Sequence, residues 1–182
     1  MPKDDVEQRE FGEYFTARRD AVRRTAYLLC GDWYWADDLT QAAFMRLAAG
    51  WRRVRDRGAL DAFVRTCLMR AYLSDTRRMW RRRERTVAEP PDGPTGTGGA
   101  ESVARRVQFV AALRQLPPRQ RAVLVCRYYQ DLDVAATAAA LRCSPGTVKS
   151  QTAKALAKLR DLLDDPVEEP RSRQLTAIEV TP

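Results

Sequence analysis

The sequence predicts an all-α protein: two small helical domains joined by a flexible Gly/Pro-rich linker, the second containing a helix-turn-helix. Three observations carry this. Apolar residues recur at helical spacing along most of the chain; Leu60, Phe63, Val64, Cys67, Leu68 and Ala71 keep closely to the i, i+3, i+4, i+7 rule of an amphipathic helix. The stretch AEPPDGPTGTGGA holds three prolines, four glycines and two acids, so it cannot bury a core and reads as a linker. Further on, DVAATAAALRCSPGTVKS sets two short helical segments either side of a tight turn. The implied boundaries are a first domain at 8–86, a linker at 87–101, a second domain at 102–164 and an acidic tail at 165–182, expected to be mobile.

Phe11, Phe15, Val22, Ala26 and Leu29 predict the first helix. Gly31 ends it and Asp32 caps the next, as a glycine after a helix and an aspartate before one should. In the second helix Ala36, Leu39, Ala43 and Leu47 share a face, widened by Phe44, Ala48 and Trp51. Gly58 breaks the chain, and the third helix runs to about Arg85 with Arg65, Thr66, Arg70 and Arg77 opposite its apolar stripe. Val103, Val107, Val110 and Ala111 mark a fourth helix that stops before Pro117 and Pro118. Those prolines suit the first turn of a fifth, with Ala122, Val123, Val125, Cys126 and Tyr129 as its apolar residues. Asp133 caps a short helix to Leu141, and the last helix starts at Thr147 with Val148, Ala155, Leu156, Leu159 and Leu163 expected inside.

With 182 residues, 45% of them hydrophobic, the chain can bury a core. It has no apolar run near the roughly 18 residues that span a bilayer, and MPKDDVEQREFGEYF is too acidic and polar for a secretion signal. No membrane insertion and a cytoplasmic location are expected. Histidine is absent, and the four cysteines (Cys30, Cys67, Cys126, Cys143) form no CxxC pair. That inventory excludes the common Cys/His zinc sites and any histidine-dependent triad. No metal, no cofactor and no enzymatic activity are expected.

The net charge of +8 is unevenly placed. Between Arg52 and Arg85 twelve arginines face four acids, and Gly146 to Arg160 carries Lys149, Lys154, Lys158 and Arg160 with no acid. Two separated cationic segments point to a polyanion. A solvated arginine-rich helix face is the plain alternative, but Trp51, Tyr72 and Trp80 interleave the arginines, and guanidinium forks with flat aromatic faces suit phosphates and unpaired bases. In the second domain, Ala138, Leu141 and Val148 facing inward would fix a helix-turn-helix, leaving Ser144, Thr147, Lys149, Ser150 and Lys154 free to reach phosphates and base edges.

From about Phe11 to Leu163 the chain resembles a bacterial RNA polymerase sigma factor of the extracytoplasmic-function group. The carriers are RTAYLLCGDWYWADDLTQAAFMRL, AFVRTCLMRAYLSDTRRMWRR and LRQLPPRQRAVLVCRYYQDLDVAATAAALRCSPGTVKSQTAKALAKLRDLL. The resemblance implies that the second helix docks on core RNA polymerase through Asp37, Asp38, Gln41, Phe44 and Arg46. The two acids also suit the N-terminal end of a helix, and both roles can hold together. It implies that the third helix and the preceding loop melt and read the −10 promoter element, with Trp51, Arg65, Arg70, Arg77, Arg78 and Trp80 as candidates; Trp51 also falls on the apolar stripe and could equally be core. Ser144, Thr147, Lys149, Ser150 and Lys154 are then the −35 candidates. Core polymerase and promoter DNA are the implied partners, and an anti-sigma protein is usual for the family. Arg142 stands where the turn usually has glycine, so strain of about 1 kcal/mol is expected if that position needs a positive φ. A stand-alone helix-turn-helix regulator is the alternative, but it leaves the arginine-rich segment and the Asp37/Asp38 helix without a role.

Overall fold

The computed structural model describes residues 3–54, 56–83 and 100–164, and among them there is helix and turn but no strand. Helix α1 spans Lys3–Cys30. Gly31 stops it at a φ of +71°, where an L side chain is strained, and its amide donates back to the carbonyl of Tyr27 at 2.6 Å. Asp32 then caps α2 (Trp33–Gly50), its carboxylate accepting the Trp35 amide at 2.7 Å. Two short 3₁₀ turns, Trp51–Arg53 and Arg57–Ala59, lead into α3 (Leu60–Arg83). Leu29, Leu39, Leu47, Val64, Leu68, Met69 and Tyr72 are fully buried between the three helices; each such leucine contributes about 2 kcal/mol through the surface it removes from water.

Past the linker come α4 (Ala100–Gln115) and α5 (Pro118–Leu124), the latter opening on Pro118 as expected and widening into a π-helical turn at Val125–Tyr129. Helices α6 (Val134–Leu141) and α7 (Pro145–Asp164) complete the described chain. Residues 87–99 of the expected linker and the 165–182 tail lie outside the described residues. Several expected apolar faces need correction: Phe63 on α3 is 37% exposed, Tyr129 of the π-helical turn 47%, and Ala48 and Ala111 are exposed as well. Helix α4 buries Val110, Ala112 and Leu113, followed by Leu116 just past its end, and leaves Val107 exposed, a rotation set by packing on α7. Leu163, expected inside, is 39% exposed because it lies in the last turn of α7, beyond the buried Leu159.

The two halves also meet face to face. Ala122, Val125 and Cys126 join the same apolar cluster as the core of α1–α3. Arg121 crosses this contact with its guanidinium buried: it donates to the carbonyl of Leu29 at 2.5 Å, of Arg114 at 2.5 Å and of Leu116 at 3.1 Å. Those carbonyls belong to the ends of α1 and α4, where helical donors run out. Burial pulls the Arg121 pKa down from its ordinary value, the Tyr72 phenol opposing this. Cys30, Cys67 and Cys126 are buried thiols and Cys143 is half-buried; burial pushes Cys126 up to about 12, so it stays protonated at neutral pH.

Candidate nucleic-acid interface

The α6–α7 pair has the geometry of a helix-turn-helix. Asp133 caps α6 by accepting the Ala136 amide at 2.6 Å. Arg142 sits in the left-handed region at φ 51°, ψ 55°, closing α6 as a glycine would, at the strain cost expected for a side chain there. Val123, Ala138 and Val148 form a small buried cluster with Leu141 and Cys143 against it, and this locks the crossing of α6 and α7. Lys149, Ser150 and Lys154 lie exposed on α7. Ser144 is exposed too, and its hydroxyl is taken up as the α7 cap, accepting the Thr147 amide at 3.1 Å and lying 2.9 Å from the Thr147 hydroxyl. Ser150 donates to the Thr147 carbonyl at 3.1 Å. Lys149 and Lys154 thus keep their charged groups clear of these capping bonds, while the Thr147 hydroxyl is engaged by the Ser144 side chain.

On α3, Arg70, Arg77, Arg78 and Trp80 are exposed, Trp80 at 73%. Arg65 is half-buried and donates to the Gln130 side-chain oxygen at 3.3 Å, while the Gln130 amide donates to the Thr25 hydroxyl at 2.8 Å. Trp51 requires correction as a −10 candidate. It is 5% exposed and meets Phe11 edge-on at 5.3 Å between ring centres, so its face is packed against α1 and not available to a base. Arg70, Arg77 and Trp80 border a cleft of about 1040 Å³ whose far wall carries Arg119, Arg142 and Gln151. The candidate −10 face and the helix-turn-helix thus border one cationic cleft with no acid in its lining. Arg119 and Gln151 escaped the sequence reading; the basic LPPRQR run preceding the helix-turn-helix was the available signal.

The expected docking face on α2 is split. Asp38, Gln41 and Arg46 are exposed. Asp37 is exposed but ion-paired, its two oxygens accepting from Arg23 at 2.5 and 2.9 Å, and the guanidinium beside it holds its carboxyl below the usual range. Phe44 is buried under Phe15, ring centres 4.8 Å apart. A shallow groove of about 460 Å³ unites Asp37, Gln41 and Phe44 with Phe11, Phe15 and the exposed Met45. Met45 was missed, although it follows Gln41 by one helical turn and lies opposite the buried stripe.

Two family models match the chain: Sigma-70 region 2 over residues 14–85 and Sigma-70 region 4 over residues 106–159. The RNA polymerase sigma-E factor of Streptomyces coelicolor is 36% identical over 158 residues, which cover 85% of this chain and 86% of that protein. Among solved structures, the sigma factor RpoE from Bartonella quintana, in complex with the anti-sigma factor NepR, aligns over 88% of this chain and 99% of its own with a TM-score of 0.70 at 23% identity. CnrH, in complex with the cytosolic domain of CnrY, aligns over 86% and 89% with a TM-score of 0.55 at 26% identity. The arginine-and-tryptophan face falls in the region 2 match and the helix-turn-helix in the region 4 match, and with this degree of identity across most of both chains the protein belongs to the sigma-70 family of RNA polymerase sigma factors, in its extracytoplasmic-function branch.

Proposed function

We propose that the chain binds core RNA polymerase in the cytoplasm and directs it to −35/−10 promoters, acting by recruitment and strand opening without catalysis of its own. The observation that carries this is the pairing, in one chain, of a helix-turn-helix with a separate exposed face of arginines and a tryptophan on α3. The two surfaces ask for different DNA. Lys149 and Lys154 on α7 suit the phosphates and base edges of a duplex groove. Arg70, Arg77, Arg78 and Trp80 suit unpaired bases, which a cationic surface holds by phosphate contact and stacking, at about 1–3 kcal/mol per stacked base. A regulator that only bound duplex DNA would have no use for the second surface.

Asp38, Gln41, Arg46 and the Phe11–Met45 groove supply the polymerase-docking face in this reading, mixing apolar and polar groups as protein interfaces do. We also propose an anti-sigma protein as a partner, as NepR is for RpoE of Bartonella quintana. The test is run-off transcription: purified chain added to sigma-free core polymerase on genomic fragments yields discrete transcripts. Asp38→Arg abolishes them and co-purification with core while leaving the helical circular dichroism unchanged. Full transcript yield from Asp38→Arg would remove α2 as the docking face, and no transcripts from the unmodified chain would remove the function.

A further inference from the structure

A second groove, of about 570 Å³, runs between the halves of the molecule. Its walls are almost wholly apolar: Trp33 from α2, Phe109 from α4, Tyr128 from the π-helical turn, and Leu156 and Leu159 from α7, with Arg24 of α1 on the rim. Phe109 is 40% and Tyr128 61% exposed. Contiguous exposed apolar surface of this kind marks a place where another chain segment sits. None of the candidate polymerase or DNA residues lines it.

The sequence beyond the described residues offers an occupant. Helix α7 ends at Asp164, five residues after Leu159, a distance of about 8 Å along the helix. Residues 165–174, DPVEEPRSRQ, form a charged spacer holding two prolines, and a spacer of that length has a mean reach of about 17–19 Å. It is followed by LTAIEV, residues 175–180, the one apolar stretch after α7. Glu179 gives this stretch a single charge, opposite in sign to Arg24, which has no ion-pair partner among the described residues.

We propose that residues 175–180 dock in this groove in cis, with Leu175, Ile178 and Val180 against the aromatic walls and Glu179 toward Arg24. Because the groove is built from α1 and α2 on one side and α4 and α7 on the other, the seated segment clips the two halves together. This inference does not depend on the transcriptional role.

The experiment uses a fluorescent peptide of residues 170–182 and three full-length proteins: the unmodified chain, Leu175→Asp/Ile178→Asp, and that double variant with Tyr128→Asp added. A short tether sets an effective concentration on the order of millimolar, so the resident segment outcompetes the added peptide. The peptide is expected to bind the double variant at least tenfold more tightly than the unmodified chain, and Tyr128→Asp placed in the double variant lowers that binding at least tenfold. Matching circular dichroism of all three proteins excludes misfolding. Equal peptide binding to unmodified and variant chains, or binding to neither, overturns the proposal. So does self-association of the unmodified chain that disappears in the double variant, because the occupant is then the tail of a second copy.

Discussion

Replacing Arg121 with methionine probes the contact between the halves, and its cost can be worked from the geometry. Methionine keeps the aliphatic stem and removes every donor. Three carbonyls, of Leu29, Arg114 and Leu116, lose their guanidinium partner at a site where Arg121 is 8% exposed. A net hydrogen bond is worth about 1 kcal/mol, and a stranded buried carbonyl costs about 1–3 kcal/mol. Against this stands relief: a cation held by carbonyl dipoles alone, with no carboxylate beside it, is expensive to desolvate. The balance is a loss of about 3 kcal/mol. At a urea m-value of about 2–3 kcal/mol per molar, the unfolding midpoint falls by about 1–1.5 M. Because these bonds tie α1 to α4 and α5, the single transition of the unmodified protein should split into two when circular dichroism is compared with tryptophan fluorescence, all four tryptophans lying in the first half. A midpoint lowered by less than about 0.3 M with one transition retained would refute the assignment of Arg121 as the clasp.

The two tryptophans of the arginine-rich segment should part company: Trp51→Ala costs about 3–5 kcal/mol of stability by leaving a core cavity, whereas Trp80→Ala leaves thermal unfolding unchanged and lowers open-complex formation, read by permanganate footprinting. Asp133→Ala removes the α6 cap and should cost about 1 kcal/mol in urea unfolding. The Asp37 carboxyl is depressed in the folded state, so its pairing with Arg23 stabilises above the unfolded carboxylate range near 4 and is lost as pH falls through the lower folded value. With the two side chains 53% and 37% exposed, the ion pair's share of the stability gap between unmodified protein and Arg23→Ala is under about 1 kcal/mol at pH 7; the gap narrows as pH falls below about 4, leaving the contact of Arg23 over the Trp33 ring at 4.5 Å. Lys149→Ala and Lys154→Ala should each reduce the slope of log affinity for −35 duplex against log salt by about 1, measured by fluorescence anisotropy.

Signals acting within a few residues were legible in the sequence. Gly31, Asp32, Pro118 and Asp133 each perform the local task their residue types suggest, and Arg142 takes the strained turn its position implies, because caps and turns depend on neighbours four or fewer positions away. What escaped depends on partners far along the chain. The apolar stripe left Trp51 two places, core or DNA face, and it is Phe11, forty positions earlier, that decides for the core. Arg121 reads as one more surface charge, and its burial is decided by a carbonyl 92 positions away. Among the candidate site residues, those on a helix face opposite an apolar stripe were placed correctly on the surface, as Asp38 and Lys149 are. Ser144 is exposed as expected, and its hydroxyl has a second task, capping α7, that only the turn geometry shows.

The π-helical turn at Val125–Tyr129 has a consequence for tolerance to deletion. Its wide loop is closed by the Gln130 amide donating to the Val125 carbonyl at 3.0 Å, one residue more than an ordinary helical turn encloses. That surplus residue sets the angular position of Gln130, whose side chain bridges Thr25 and Arg65. Removing any one residue from 125–129 would tighten the coil and swing the downstream chain by about 100°, taking Gln130 off its two partners and turning α6 relative to α3. A single-codon loss here, in a stretch that looks like unremarkable helix, is therefore far more damaging than the same loss near the start of α1.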